Sequence, residues 1–335
     1  MLQFIPTNLE DKIHINKNLK PKLYAKRKIK QYLYTIKFTS SEEDLCKLEM
    51  KCLFNKAPNE NYFFSYHYIN PHRSPFMKQC ISILYSGSTI EDIINQILCN
   101  NLSYENFKVY CFNIDKEVIN FNDRRRFESL IGFNIKGQAD IHNPQILLGI
   151  TKAKGKWIFG ELEVNKSSWM AHNKKPYYYS NAIGVKTARA IINIAVANHL
   201  EYKAVDPCCG IGTVLIEALS LGINIKGYEI NPSIAENAKR NLEFFGYKDI
   251  VTTGDMHTIK DNFDVAIIDL PYGLFSLTTL KEQIDILKTA RKTAKKLVLV
   301  SMENMDKFLI VCGFTIVDKC IVSKGKFNRY ITVCR

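Results

Sequence analysis

The carboxyl-terminal part of the sequence alternates short apolar runs with segments of helical periodicity. Helical spacing of apolar residues is seen over 214–221 and 234–245, and a further helix is expected over 185–199. Four apolar runs lie around these segments and each ends in an acidic residue: 202–206, 225–229, 251–255 and 264–269. This alternation predicts a parallel sheet flanked by helices, with a Rossmann-like order of elements.

The amino-terminal half follows a different pattern. β-Branched and aromatic runs predict strands over 32–38 and 63–68, with a helix that starts near Ser41 between them. A second set follows a turn-rich connection at 70–75, with a helix from Thr89 and strands over 107–112, 146–150 and 157–164. Arg124, Arg125 and Arg126 are expected to precede a helical turn. The pattern predicts two small α+β units ahead of the parallel sheet.

Charge and cysteine content narrow the class of protein. The chain has 46 Lys and Arg residues against 33 Asp and Glu residues, a net charge of +13 that attracts polyanions such as nucleic acid. The same excess, and the basic residues within 1–30, also fit a lysine-rich solvated surface. Ten cysteines occur without the paired spacing of a zinc site, so we expect reduced thiols in a cytoplasmic protein and no metal. No apolar run of about 20 residues predicts a membrane span.

A glycine-containing turn follows the first run of the parallel sheet. Asp206 ends the strand, and Gly210 and Gly212 permit a tight bend in which the backbone approaches a ligand closely. The third glycine of a dinucleotide fingerprint is missing, but Glu229 lies about 20 residues further on, where a ribose-binding carboxylate belongs. Because the carboxyl ends of parallel strands meet at one edge, we expect Asp206, Glu229, Asp255 and Asp269 to share a rim.

Two segments resemble motifs of the class I methyltransferases. Residues 206–213 resemble motif I, and Asp269-Leu270-Pro271-Tyr272 resembles the (Asp/Asn)-Pro-Pro-Tyr motif of enzymes that methylate amines. The resemblance implies S-adenosylmethionine as cofactor, with Glu229 on its ribose, Asp255 on its adenine amine and the glycine turn on its methionine part. A Rossmann-like domain without a ligand is the alternative. The implied cofactor-binding residues are Asp206, Cys208, Gly210, Gly212, Thr213, Glu229, Ile230, Asp255, Met256 and Asp269.

The same resemblance assigns catalysis to Asp269, Leu270, Pro271 and Tyr272. An exocyclic amine on an aromatic base is a poor nucleophile, because its lone pair is delocalised into the ring. The Asp269 carboxylate and the Leu270 carbonyl would accept its two hydrogens, and Tyr272 would stack on the base. Leu270 departs from the motif, in which proline is usual; the fixed φ of proline is lost, which predicts a looser loop or a slower enzyme, with an inactive copy as the alternative.

The order of the units is similar to that of the THUMP-containing tRNA guanine-N2 methyltransferases over nearly the whole chain. Local similarities lie at 71–76, 124–137 with Ala139-Asp140, and Lys175-Pro176 with Ala188-Arg189. The resemblance implies a lead-in and ferredoxin-like unit over 1–75, a THUMP-like RNA-binding domain over 76–165 and a methyltransferase domain over 166–335, acting on tRNA. Methylation of ribosomal RNA guanine, methylation of DNA adenine N6, and a silent RNA-binding protein are the alternatives.

Three further parts of the sequence could contribute to a site. Residues 324–329 are basic and are predicted to form a solvated hairpin rather than a phosphate contact. His257 is expected to be structural. Tyr177, Tyr178 and Tyr179 are equally consistent with packing of the linker, covering the cofactor or stacking on RNA.

Overall fold

The computed structural model describes residues 31–114, 118–179, 182–271, 278–324 and 327–335, except for the side chains of Lys324 and Phe327. These residues form a six-stranded and a seven-stranded sheet, joined by the segment before residue 185. The mixed α/β architecture predicted from the sequence is confirmed.

The six-stranded sheet has the order β2-β1-β3-β6-β5-β4, and its neighbours are antiparallel except β4 and β5. Its strand β3 pairs with β1 and with β6, so one continuous sheet spans the boundary predicted at residue 75. The division into ferredoxin-like and THUMP-like units stays a prediction. The elements are β1 (Tyr32–Ile36), α1 (Glu43–Phe54), β2 (Tyr62–Ser65), β3 (Met77–Gly87), α2 (Ile90–Cys99), β4 (Phe107–Cys111), α3 (Phe121–Asn134), β5 (Ile146–Ala153) and β6 (Lys156–Val164).

The seven-stranded sheet has the order β12-β13-β11-β10-β7-β8-β9. Strands β7 to β11 are parallel, and β13 runs antiparallel between β11 and β12. The elements are α4 (Val185–Val196), β7 (Lys203–Asp206), α5 (Thr213–Ser220), β8 (Asn224–Glu229), α6 (Pro232–Phe244), β9 (Val251–Thr253), β10 (Phe263–Asp269), α7 (Leu280–Thr293), β11 (Ala294–Ser301), α8 (Asp306–Val311), β12 (Ile316–Lys324) and β13 (Phe327–Cys334).

This strand order determines where a ligand binds. From β7 the chain continues to β8 and β9 on one side, and then crosses to β10 and β11 on the other. The order therefore reverses between β7 and β10, and open α/β sheets bind ligands outside the carboxyl ends of the strands at such a switch point. Asp206 and Asp269 end these two strands.

Two sequence expectations about helices need correction. The three arginines at 124–126 lie inside α3 rather than before it, because the Asn120 side chain accepts the N–H of Asp123 at 2.9 Å and starts the helix earlier. The helix expected to reach residue 199 ends at Val196. Ala197 follows it with a φ of 46°, which stops the helical hydrogen-bond pattern.

A buried polar network joins the amino-terminal sheet unit to α4 and α5. Arg189 of α4 is 1% exposed, and its guanidinium donates to Glu217 of α5 at 2.8 Å. It also donates to the backbone carbonyls of His72 and Arg73, at 3.0 Å and 2.9 Å. The second Glu217 oxygen lies 2.5 Å from His172 Nδ1, so both carboxylate oxygens have partners.

The network continues around Glu49 of α1. Glu49 accepts hydrogen bonds from the Asn193 amide at 2.6 Å and from the Ser74 hydroxyl at 2.5 Å. Burial raises the pKa of Glu49 to about 7, although both of these bonds act in the opposite direction. The Arg73 guanidinium donates to Asn193 at 2.9 Å and extends the network towards the end of α4. These contacts dock the two units through hydrogen-bonded groups rather than through apolar packing alone.

Candidate active site

Four acidic residues lie at or just after the carboxyl ends of β7 to β10, as the strand pattern predicts. The negative charges of Asp206, Glu229, Asp255 and Asp269 all act on the Cys208 thiol, which follows β7. Burial first, and then these four charges, raise the pKa of Cys208 far above its usual value. The four acids therefore lie within electrostatic range of one turn of the chain.

Asp206 is the most deeply buried of the four, at 3% exposure. Burial raises its pKa well above the ordinary value for Asp, and the charges of Asp269 and Glu229 raise it further. The N–H of Cys208 donates to Asp206 at 3.3 Å and has the opposite effect. Strand β7 thus delivers an acidic group to the base of the predicted cofactor site.

The glycine turn after β7 is tied to the end of β8. Gly210 has a φ of 53°, and its N–H donates to Glu229 at 3.0 Å. The second Glu229 oxygen accepts the N–H of Asn231 at 2.9 Å. Gly212 has a φ of 79° and precedes α5 directly. Only glycine adopts such angles without strain, so the turn depends on both positions.

Sequence reasoning missed a third glycine, which lies on β8 rather than in the turn. A Cβ atom at Gly227 would lie 2.5 Å from Leu215 of α5 and 3.1 Å from the sulfur of Cys209. The missing side chain therefore lets the turn and α5 pack closely on β8. The regular two-residue alternation of the strand gave no signal of this contact.

The residues after β8 and β9 line the same edge. Ile230 is 69% exposed directly beyond Glu229, whereas Met256 is buried with its sulfur 3.8 Å from that of Cys208. One oxygen of Asp255 accepts the N–H of His257 at 2.8 Å and starts a short 3₁₀ helix, Met256–Thr258. His257 itself pairs with Thr289 at 2.6 Å on the surface.

The predicted catalytic segment is held from both sides. The N–H of Leu270 donates to the Val300 carbonyl at 2.8 Å, and the Leu270 side chain is buried. The Pro271 carbonyl accepts from the Gln283 side chain of α7 at 3.2 Å. Leu270 therefore restrains the segment through a hydrogen bond that proline lacks the donor to make. Tyr272, the fourth predicted catalytic residue, lies outside the described residues.

Asp269 combines burial with an unused acceptor. Its Oδ1 atom is shielded from solvent and has no hydrogen-bond partner among the described residues. Burial raises the pKa of Asp269 to about 7, and the charge of Arg329 on β13 acts in the opposite direction. Arg329 belongs to the segment expected to be a solvated hairpin, yet it is half-buried, which corrects that expectation at this position.

The residues present fit S-adenosylmethionine. The Thr213 hydroxyl, at the start of α5, is a second buried oxygen without a partner in the described part of the chain. Open space lies where a Cβ of Gly210 would be, so the turn can admit a ligand close to its backbone. Acidic groups around the turn complement a sulfonium cation. Residues 206–213 with Glu229 would hold the cofactor.

Comparison with known proteins agrees with this geometry. Residues 172–305 match the model of the family described as RMKL-like, methyltransferase domain. The match covers less than half of the chain, and it shows that this part is similar to methyltransferase domains. It agrees with the predicted domain type, and the similarity to methyltransferases supports S-adenosylmethionine as the cofactor. The individual roles assigned to the site residues stay predictions.

Individual relatives match a longer stretch. Over 205 residues the chain is 29% identical to the tRNA (guanine(10)-N2)-dimethyltransferase of Pyrococcus abyssi. This alignment covers 57% of the present chain and 61% of that protein. A protein of the same name from Methanothermobacter thermautotrophicus is 24% identical over 204 residues, covering 58% and 59%. The chain thus spans less than two thirds of these relatives. The crystal structure of TrmN from Thermus thermophilus aligns with a TM-score of 0.44 and 14% identity, over 91% of this chain and 99% of that chain.

Two features are absent from the part of the chain that the structure describes. None of their helices is both long and apolar enough to cross a membrane. Within the same residues, no group of three or more His, Cys, Asp and Glu side chains is arranged to hold a metal ion.

Proposed function

We propose that the protein methylates the exocyclic N2 amine of a guanine in tRNA, in the cytoplasm. The observation that carries the chemistry is the buried Oδ1 of Asp269 at the switch point of the sheet, which has no partner among the residues that the structure describes. A buried acceptor without a donor is unfavourable, and an N–H group of a bound substrate would satisfy it. The substrate class rests on the relatives, which are named as tRNA guanine-N2 dimethyltransferases.

The residues act on the amine mainly by orientation. S-adenosylmethionine, when bound, supplies an electrophilic methyl group. Asp269 accepts one N–H of the guanine amine and the Leu270 carbonyl accepts the other, which directs the nitrogen lone pair out of the ring plane. Asp269 is also placed to receive the proton that the nitrogen loses. The hydrogen bonds of Leu270 and Pro271 to β11 and α7 hold both acceptors in position.

A surface of α3 fits the RNA part of the proposal. Phe133 is 89% exposed, and Phe121 is also exposed beside two guanidinium groups, with Arg125 at 5.2 Å and Arg124 at 5.9 Å from its ring centre. Exposed aromatic rings next to arginines are suited to stack on bases and to neutralise phosphates. The net charge of +13 favours the same partner.

The test is transfer of labelled methyl groups to defined nucleic acids. Purified protein is incubated with labelled S-adenosylmethionine and tRNA, ribosomal RNA or duplex DNA, and the nucleosides are identified by mass spectrometry. We expect N2-methylguanosine or N2,N2-dimethylguanosine in tRNA, and its loss in Asp269→Ala. The matched control Asp261→Asn, which alters an exposed carboxylate paired with Lys226, should keep full activity. Product confined to ribosomal RNA or DNA would refute the substrate, and full activity of Asp269→Ala would refute the mechanism.

A further inference from the structure

Arg329 and Asp269 lie on the same face of the seven-stranded sheet. Asp269 is in register with Val300 of β11, and Val300 is in register with Ile331 of β13. Side chains two residues apart on a strand share a face, so Arg329 faces the same side as Ile331. The packing agrees, because Ile267, Val300 and Ile331 belong to one core cluster.

Arg329 also lies at the correct edge. Strand β13 is antiparallel to β11, and its residue Tyr330 pairs with Ser301, the last residue of β11. Arg329 therefore sits just beyond the carboxyl end of β11, next to the predicted active site. Arg329 lies two strands away from Asp269 across the sheet and two residues further along. These two displacements separate the Cα atoms of the two residues by about 12 Å. A long arginine side chain can cover most of that distance, and the charge of Arg329 acts on Asp269.

The charges around Asp269 indicate what Arg329 does at this position. Three described groups interact electrostatically with Asp269: Asp206 and Cys208, whose raised pKa values favour their uncharged forms, and Arg329, which is positive. Burial favours the protonated form of Asp269, which can donate but is a weak acceptor for an amine hydrogen. Burial alone raises the pKa of Asp269 towards neutrality, and Arg329 opposes this shift.

We infer that Arg329 is a positioning residue, which acts through Asp269 by keeping its carboxylate ionised as the acceptor of the amine hydrogen. The inference rests on the proposed function. It differs from a role in gripping RNA, since a phosphate contact would act on tRNA affinity and leave the ionisation of Asp269 unchanged.

The experiment compares Arg329→Met and Arg329→Lys with the wild type. We expect Arg329→Met to move the acid limb of the kcat profile up by about one pH unit, so that kcat at pH 7 falls by about fivefold while the KM for tRNA changes little. Arg329→Lys should restore most of the wild-type profile. Lys319→Met serves as the control. Lys319 lies on the neighbouring strand β12, and the substitution removes an equal charge from its ion pair with Asp306 of α8. An unshifted acid limb, or a change confined to KM, would overturn the inference.

A second measurement does not depend on turnover. Carbon-13 labelling of aspartate carboxyl groups allows Asp269 to be titrated by NMR, with Asp269→Asn to assign its signal. A higher midpoint in Arg329→Met supports the inference even if no tRNA is methylated, in which case only the proposed function fails. An unchanged midpoint overturns the inference even in an active enzyme. If Arg329→Met does not fold, Arg329→Gln takes its place in both measurements.

Discussion

Two buried acids in this protein have similarly raised pKa values but different surroundings. Burial raises the pKa of Asp269, at the sheet edge, to about 7. It also raises to about 7 the pKa of Glu49, which lies at the junction, the buried polar network that joins the two units. Both oxygens of Glu49 accept hydrogen bonds, whereas Oδ1 of Asp269 has no partner among the described residues. A raised pKa alone therefore does not distinguish a structural acid from a functional one. The hydrogen bonds do, because a satisfied buried group stabilises the fold and an unsatisfied one awaits a ligand.

The largest expected effect is on the free energy of unfolding, and it tests the polar network at the junction of the two units. Arg189→Met leaves the buried Glu217 carboxylate and two backbone carbonyls without their donor, and breaking such a buried pair costs about 3–5 kcal/mol. Urea unfolding measures the change. The control is Arg240→Met, whose guanidinium forms an exposed pair with Glu236, so its loss should hardly change stability. Equal, small effects for both variants would show that the network does not dock the units.

The second prediction compares the two acids directly, by replacing each with its amide. Asp269→Asn should lower kcat on the order of 10²–10³-fold, because the amide cannot replace the charged acceptor, while the free energy of unfolding is unchanged or rises. Glu49→Gln keeps most hydrogen bonds of the junction and should leave kcat unchanged. Single-turnover methylation and urea unfolding of both variants check this. Loss of activity in Glu49→Gln would mean that the junction contributes to chemistry.

The sequence predicts the acids at the sheet edge but not the polar network at the junction. The difference lies in how far apart along the chain the interacting residues are. The acids at the ends of β7 to β10 were predicted because each directly follows an apolar strand. The junction was not, because Arg189 and Glu217 lie 28 residues apart and Glu49 and Asn193 lie 144 apart. Arg329 was missed for the same reason, since its relation to Asp269 arises only when β13 inserts beside β11.

A third, smaller effect concerns the departure at Leu270. Leu270→Pro recreates the usual motif but removes the N–H that donates to Val300, leaving a buried carbonyl without its donor at a cost of about 1–3 kcal/mol. We expect lower stability and no gain in kcat. Leu270→Met keeps the N–H and similar volume, so it should cost less than about 1.5 kcal/mol. Faster methylation by Leu270→Pro would instead show that the rigidity of proline matters more than this hydrogen bond.

The smallest effect is the pH dependence, in which kcat and stability should change with opposite signs. Because the pKa of Asp269 is about 7, the fraction of carboxylate rises about tenfold between pH 6 and pH 8, and kcat should rise with it. Stability should change in the opposite direction. Both acids have higher pKa values folded than unfolded, so the native state binds more protons between their ordinary values and about 7. Stability is then lost as the pH rises through that window.

The variants Asp269→Asn and Glu49→Gln show which acid causes the pH dependence of kcat and which acids cause that of stability. Asp269→Asn should leave residual activity that no longer rises between pH 6 and pH 8, whereas Glu49→Gln should keep the wild-type rise in kcat. In unfolding experiments across the same range, each variant should lose part of the pH dependence, because each removes one of the two raised groups. If kcat in Glu49→Gln became independent of pH, the acid limb would belong to the junction, and the hydrogen-bond criterion that separates the two acids would fail.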